Sequence, residues 1–292
     1  MSQLPGNNAP PPAAGGAQLA DRDFRKFSVF IYETCGIKMP PAKKTMLAAR
    51  LQKRLRHLHM DSFSVYLDYV LSPTGQSEEL SHLIDAVSTN KTDFFREAKH
   101  FDILTAVVLP AYLKRQRRDS STLHVWSAGC SSGEEPYTLA MVLDDFFSRH
   151  PGHTYAILAT DICTQVLDKA REAIYADDCI RPVPALFKQR YLMRGKGSHQ
   201  GFHRVVPELR GKVKFRRLNF MDRDFQIKEK MDIIFCRNVI IYFDRITQET
   251  LFQKFHHQLA PHGYLFTGHS ESLIGINDKM QRINSAVYQC LP

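Results

Sequence analysis

The stretch Leu123-His-Val-Trp-Ser-Ala-Gly-Cys-Ser-Ser-Gly-Glu-Glu-Pro-Tyr-Thr-Leu-Ala-Met-Val-Leu143 decides the fold. Leu123–Ser127 is a short apolar-rich run and predicts a strand. Ala128–Gly133 is small and glycine-containing, so the backbone can turn tightly and come close to a ligand. Glu134 opens a segment with Leu139, Val142 and Leu143 at helical spacing, and Glu134, Glu135 and Pro136 suit its first turn. Strand, glycine turn and helix make the opening unit of a nucleotide-binding α/β domain. The turn is not GxGxxG and no Gly-Lys-Ser/Thr follows, which removes a dinucleotide fingerprint and a P-loop. Two carboxylates at the helix start repel a pyrophosphate and suit a ligand with positive charge and hydroxyl groups, of which S-adenosylmethionine is one. An ordinary capped helix after a strand uses the same residues, and this stretch alone does not separate the two.

Working outward, 292 residues are enough for two domains and a real core. No run approaches the length of a membrane span, and the N-terminus lacks a charged-then-apolar leader pattern. Cys35, Cys130, Cys163, Cys179, Cys236 and Cys290 are scattered without a CxxC pair. That argues against a metal site or a disulfide framework and for a reducing cytoplasm. The formal charge of +9, from 39 basic and 30 acidic residues, predicts an acidic partner without choosing its kind.

Residues 1–20 are rich in Pro, Ala, Gly and Gln and predict a disordered tail. Residues 21–114 predict an all-helical domain. Its stripes are Phe24, Phe27, Phe30 and Ile31; then Met46, Leu47, Leu51, Leu55 and Leu58; then Leu80, Leu83, Ile84 and Val87. On the second helix Arg50, Arg54 and His57 align at i, i+4 and i+7, and no acid lies between Lys43 and His59. A solvated face has that look, and so does a docking face for a negatively charged helix or nucleic acid. Thr92 or Asp93 can cap a further helix packed by Phe94 and Phe95, which leaves Asn90 and Arg96 unexplained. Residues 115–122 predict a linker, and 123–292 the α/β domain.

A second strand, Thr154–Thr160, ends in Asp161, placed to accept bonds from ribose hydroxyls, although a surface aspartate can also end a strand. Val166, Leu167, Ala170, Ala173 and Ile174 predict the next helix. Too many residues then precede strand Lys212–Leu218 for a plain connection, so 178–211 predicts an inserted β-subdomain with a hairpin. Strand Asp232–Phe235, helix Thr247–Leu259 and strands Gly263–Thr267 and Ala286–Cys290 complete a mainly parallel sheet with helices on both faces. Gly129, Asp161, Asn219 and Asn238 wait at the carboxyl ends of its strands, where such sheets bind ligands.

Five stretches in one order resemble a known family: Thr89–Glu97 (TNKTDFFRE), Ser127–Tyr137 (SAGCSSGEEPY), Ala159–Ile162 (ATDI), Cys236–Asp244 (CRNVIIYFD) and Gly268–Glu271 (GHSE). Over about residues 22–291 the chain is similar to the bacterial chemoreceptor methyltransferases, the CheR-type protein-glutamate O-methyltransferases. The resemblance implies a Rossmann-like class I S-adenosylmethionine-dependent methyltransferase domain, an N-terminal all-helical domain and an inserted antiparallel β-subdomain. It implies methyl transfer from S-adenosylmethionine to glutamates on chemoreceptor cytoplasmic helices, with S-adenosylhomocysteine as product. By position, the family's cofactor contacts fall on Asn90, Thr92, Arg96, Glu135, Asp161, Asn219, Phe220, Arg237 and Asn238. Glu134 remains an alternative to Glu135. Arg96 and Tyr242 fall near the transferred methyl and are the expected catalytic pair. The loop holding Gly195 and Gly197 resembles that of family members that dock a receptor's C-terminal pentapeptide, although a ligand-free hairpin has the same glycines. Arg50, Arg54 and His57 are the expected receptor-facing cations, with no metal, no nucleic acid, no membrane insertion and a monomeric chain expected.

A glutamate carboxylate has a pKa near ~4.3, so it attacks a sulfonium methyl without a general base. Positioning then carries the catalysis. A nucleic-acid methylase is disfavoured because Cys236-Arg-Asn-Val stands where base-amine methylases carry Asn/Asp-Pro-Pro-aromatic. A non-catalytic adaptor is disfavoured by the joint presence of Asn90, Arg96, Asp161, Asn238 and Tyr242.

Overall fold

A computed structural model of the chain describes residues 17–115, 121–271 and 279–291. Most of the expected tail and the middle of the expected linker lie outside the described residues. The chain divides into two compact units: residues up to Val29 with Met39–Val87, and Phe30–Lys38 with the residues from Ser88 onward.

The first α-helices among the described residues are α1 (Asp21–Cys35), α2 (Lys44–His57), α3 (Phe63–Leu71), α4 (Pro73–Glu78) and α5 (Leu80–Val87). Phe24, Phe27, Leu47, Leu51, Leu55, Leu83, Ile84 and Val87 are buried, as their three- and four-residue spacing predicts. No stripe was expected over residues 59–79, yet α3 forms there. Its sequence is apolar at most positions, which hides the period; Ser62 caps it by accepting the Val65 N–H at 3.2 Å.

The expectation that nothing balances the cations of α2 is overturned. Arg54 donates Nε and Nη2 to the two carboxylate oxygens of Glu79, at 2.7 and 2.6 Å, and the Tyr66 hydroxyl reaches the same carboxylate at 2.9 Å. Arg50 donates to the Val87 carbonyl at 2.8 Å, serving the open carbonyls at the end of α5. Folding supplies these partners from outside the window in which the charges were read. Lys53, Arg56 and His57 are the exposed basic side chains of the helix.

The helical unit ends at Val87 rather than near 114. Helices α6 (Lys99–Ile103) and α7 (Leu109–Arg115), joined by a π-helical turn over Leu104–Val108, bury Phe101, Leu104, Val108, Leu109 and Tyr112 in one cluster with Leu123, Val125 and Tyr137. The helix expected from Thr92 or Asp93 starts only at Lys99, because Phe95 and Glu97 adopt left-handed φ values of 55° and 54°.

Beyond α7 the order is β1 (Ser121–Ala128), α8 (Glu134–Phe147), β2 (His153–Asp161), α9 (Thr164–Glu172), β3 (Ile174–Ala176), α10 (Ala185–Tyr191), β4 (Leu192–Arg194), β5 (Phe202–Val205), α11 (Pro207–Arg210), β6 (Val213–Arg217), β7 (Met231–Cys236), α12 (Arg245–Gln258), β8 (Leu259–Thr267), β9 (Met280–Asn284) and β10 (Val287–Cys290). The large sheet runs β6-β2-β1-β7-β8-β10-β9. Its first five strands are parallel, and β10 pairs antiparallel with β8 and β9. Alternation along β1 sends Leu123 and Val125 to one core and Trp126 and Ala128 to the other. The chain leaves β1 toward β2 and β6, then returns to build β7 and β8 on the other side. The crevice between the ends of β1 and β7 is therefore the switch point.

Strands β3, β5 and β4 form a separate antiparallel sheet. It starts at Ile174 rather than at 178. Ala173 takes a left-handed φ of 55° and ends α9, so the residues expected to finish that helix begin a strand instead.

Candidate active site at the strand tips

After β1 the backbone turns at Gly129 with φ 88°, and a Cβ there would lie 2.5 Å from Val239 Cγ2. Glycine is required on both counts. Ser131 follows in a left-handed conformation, and its N–H meets Asp161 Oδ2 at 2.8 Å. The other oxygen, Oδ1, accepts the Cys163 N–H at 2.9 Å. Two backbone donors thus fix the Asp161 carboxylate at the end of β2. The Ser131 hydroxyl donates to the Asn90 carbonyl at 2.8 Å, and Asn90 Nδ2 reaches Cys163 Sγ at 3.4 Å. Residues 90, 131, 161 and 163 therefore converge on one turn.

Glu134 and Glu135 part ways at the start of α8. Glu134 accepts from the Ser132 hydroxyl at 2.8 Å, whereas Glu135 accepts from Ser127 at 2.7 Å and faces Arg237 Nη1 at 3.4 Å. Arg237 is 6% exposed; its guanidinium also meets Glu97 at 3.3 Å and the Arg96 carbonyl. This arginine is directed inward, between two carboxylates. Burial pushes the Glu135 carboxyl up, against the pull of Arg237 and Ser127. Burial acts the same way on Glu97, but Arg237, His100 and His269 outweigh it and hold Glu97 below its ordinary value. With Asp161, the strand tips carry more acid than base, which suits a cationic ligand.

Arg96 is half-buried and donates to the Lys91 carbonyl at 3.0 Å, within the Thr89–Glu97 segment. Thr92, in the same segment, is half-buried. Asn219 has part of its side chain committed: Nδ2 donates to the Thr34 carbonyl at 2.7 Å and Oδ1 accepts the Met221 N–H at 3.0 Å. Phe220 packs edge-on against Trp126, Phe225, Phe243 and Phe255. Asn238 takes a left-handed φ of 59°, and Tyr242 ends the 3-10 turn Ile240–Tyr242. Gly195 and Gly197 shape the connection from β4 to β5, the Gly195 N–H bonding the Phe202 carbonyl at 2.8 Å.

Sequence reasoning assigned no role to Glu97, Ser127, His100 or Glu271. Glu97 stood beside Arg96 in a motif already singled out, and that adjacency was the available signal. Glu97, His100 and His269 bring potential ligand atoms within 4.8 Å of one another. Arg237 already pairs with Glu97, so a metal ion there would meet a second positive charge. His100 is 1% exposed, and burial, reinforced by Arg237, lowers its pKa to about 4, so it is neutral at pH 7.

Two family comparisons cover nearly the whole described chain. Residues 22–88 match the CheR methyltransferase all-alpha domain, and residues 90–289 match the CheR methyltransferase SAM binding domain. The chain is 40% identical over 270 residues to chemotaxis protein methyltransferases of Salmonella typhimurium and Escherichia coli, spanning 92% of this chain and 90% and 91% of theirs. A chemotaxis protein methyltransferase of Borreliella burgdorferi is also 40% identical, over 261 residues, 89% of this chain and 90% of the relative. Both family matches, with relatives 40% identical over about nine tenths of the chain, make this chain a member of the CheR family of S-adenosylmethionine-dependent chemotaxis methyltransferases.

Proposed function

We propose that the protein transfers a methyl group from S-adenosylmethionine to glutamate carboxylates on chemoreceptor cytoplasmic helices, forming methyl esters in the cytoplasm. The observation that carries this reading is the pairing of Glu97 and Glu135 with the inward-turned Arg237, together with the Asp161 carboxylate at the end of β2. It provides negative charge for a donor that is cationic at sulfur and at its amino group. When bound, S-adenosylmethionine supplies an electrophilic methyl group. Asp161 accepts from the ribose hydroxyls, Glu135 and Asn238 bind the polar groups, and Asn90, Thr92, Asn219 and Phe220 line the remainder. Arg237 acts through the two carboxylates it holds. Arg96 and Tyr242 orient the acceptor carboxylate, which is ionised at neutral pH and needs no base. Catalysis is then alignment within a shielded crevice, which contributes roughly 7–11 kcal/mol when geometry is good.

For receptor recognition, the exposed Lys53, Arg56 and His57 replace the stripe read from the sequence, because Arg50 and Arg54 are spent on internal bonds. The small sheet ends in β4, an edge strand on which a receptor C-terminal peptide can add as a further strand. Among the described residues no helix is long and apolar enough to cross a membrane.

The test is transfer of isotopically labelled methyl to receptor-bearing membranes. The label is expected to leave as methanol on mild alkaline hydrolysis, as an ester requires. Alkali-stable label would overturn carboxylate methylation. Arg96→Ala is expected to lose turnover while keeping the wild-type melting temperature, and near-normal turnover would remove Arg96 from the site.

A further inference from the structure

Glu271 is 5% exposed, and among the described residues no cation pairs with it. Its carboxylate instead gathers backbone donors. Oε2 accepts the N–H of Asn238 at 2.9 Å and of Gly268 at 2.7 Å, and Oε1 accepts the N–H of Ile241 at 3.2 Å. The residue is itself fixed: its N–H donates to the Gly268 carbonyl at 2.9 Å, and its carbonyl accepts the Thr267 hydroxyl at 3.0 Å. Burial pushes its carboxyl up, and the backbone N–H groups of Gly268, Asn238, Ile241 and Ile240 pull it back.

Two of those donors lie in the segment that leaves β7. Asn238 is left-handed there, which costs a non-glycine residue strain that the surroundings must hold in place. Three donors on two oxygens also demand a carboxylate, since an amide offers only one acceptor oxygen. Gly268 fits the same arrangement from the other side. A Cβ on it would stand 2.8 Å from Asn238 Nδ2, 2.8 Å from Glu271 Oε2 and 3.1 Å from the Asn238 nitrogen. The turn after β8 is thus moulded to the loop after β7.

The geometry points to Glu271 as a positioning residue for methyl transfer, one that touches neither donor nor acceptor. It sets the backbone from Asn238 through Ile241 and thereby places the Asn238 amide and the Tyr242 phenol. This inference rests on the reading that Asn238 and Tyr242 face the bound cofactor and the incoming carboxylate.

The experiment compares Glu271→Gln, Asn238→Ala, Tyr242→Phe and the double variant Glu271→Gln/Tyr242→Phe with wild type, well below their melting temperatures. Cofactor Kd is read by calorimetry, and kcat and KM from receptor methylation. Glu271→Gln is expected to raise cofactor Kd and lower kcat, each by about tenfold, and the double variant to lose less than the product of the single losses. A Glu271→Gln enzyme within about twofold of wild type in both constants overturns the inference. So does strict multiplicativity with Tyr242→Phe, because a merely structural loss would not couple to that phenol. Should Glu271→Gln fail to fold, Gly268→Ala keeps the carboxylate, presses on Asn238, and is held to the same expectation. If Asn238→Ala and Tyr242→Phe leave Kd and kcat unchanged, the site reading falls and this inference with it. If they act and the Glu271 and Gly268 variants do not, the positioning role alone falls.

Discussion

Each unit of the chain buries an arginine against glutamate, and the two groupings are built differently. In the helical unit Arg54 meets Glu79 through two parallel bonds of 2.7 and 2.6 Å, and Tyr66 closes the remaining side. One cation meets one anion through short bonds. At the strand tips Arg237 is shared by Glu97 and Glu135, with contacts of 3.3 and 3.4 Å, and Asn238 Nδ2 lies 3.5 Å from Glu97. Two anions meet one cation through long contacts. The first arrangement pairs the charges one to one, and the second leaves an excess of negative charge, which is what the proposed cationic donor would meet.

Removing one partner from the one-to-one pair should do the most damage to folding. Glu79→Ala leaves Arg54 with its charge in a site only 17% exposed, and a loss of about 3–5 kcal/mol in denaturant unfolding is expected. Cofactor affinity at low denaturant should not change. A loss below about 1 kcal/mol would put the pair with ordinary surface bridges and end the contrast.

At the strand tips the same kind of change should act on binding. Glu135→Gln is expected to weaken cofactor affinity about tenfold at pH 7, with little change in melting temperature. Burial raises the Glu135 carboxyl above its ordinary 4.5, so wild-type affinity should fall as the pH drops through that raised value. There the wild-type curve approaches that of Glu135→Gln, whose own curve lacks this step. Calorimetry across the pH range checks it, and parallel curves would mean that Glu135 does not meet the cation.

The smallest effect belongs to the exposed charges. Lys53→Glu with Arg56→Glu should slow receptor methylation a few-fold at low salt, fade as ionic strength rises, and spare cofactor affinity. A salt-independent loss would point away from electrostatic steering.

The same contrast explains what could be read from the chain. The glycine turn, the acids of α8 and Asp161 lie in short local patterns, so the crevice between β1 and β7 was legible. Arg54 looked unopposed because Glu79 stands 25 positions away, and only packing of the helices joins them. The late start of α6 hangs on left-handed Phe95 and Glu97, which no periodicity announces. Glu271 was visible as part of a motif, but its role depends on donors 33 and 30 positions earlier in the chain. The end of α9 was missed because Ala173 caps it in a conformation more often given to glycine.

The chain's single tryptophan, Trp126, sits on β1 with Phe225 and Phe255 edge-on at 5.3 Å, and the helical unit has none. Indole emission therefore reports melting of the sheet unit alone, while far-ultraviolet dichroism sums both units. Recorded together on one sample, the two signals would show whether losing the Arg54 pair unravels the helices by themselves or brings the methyltransferase half down with them.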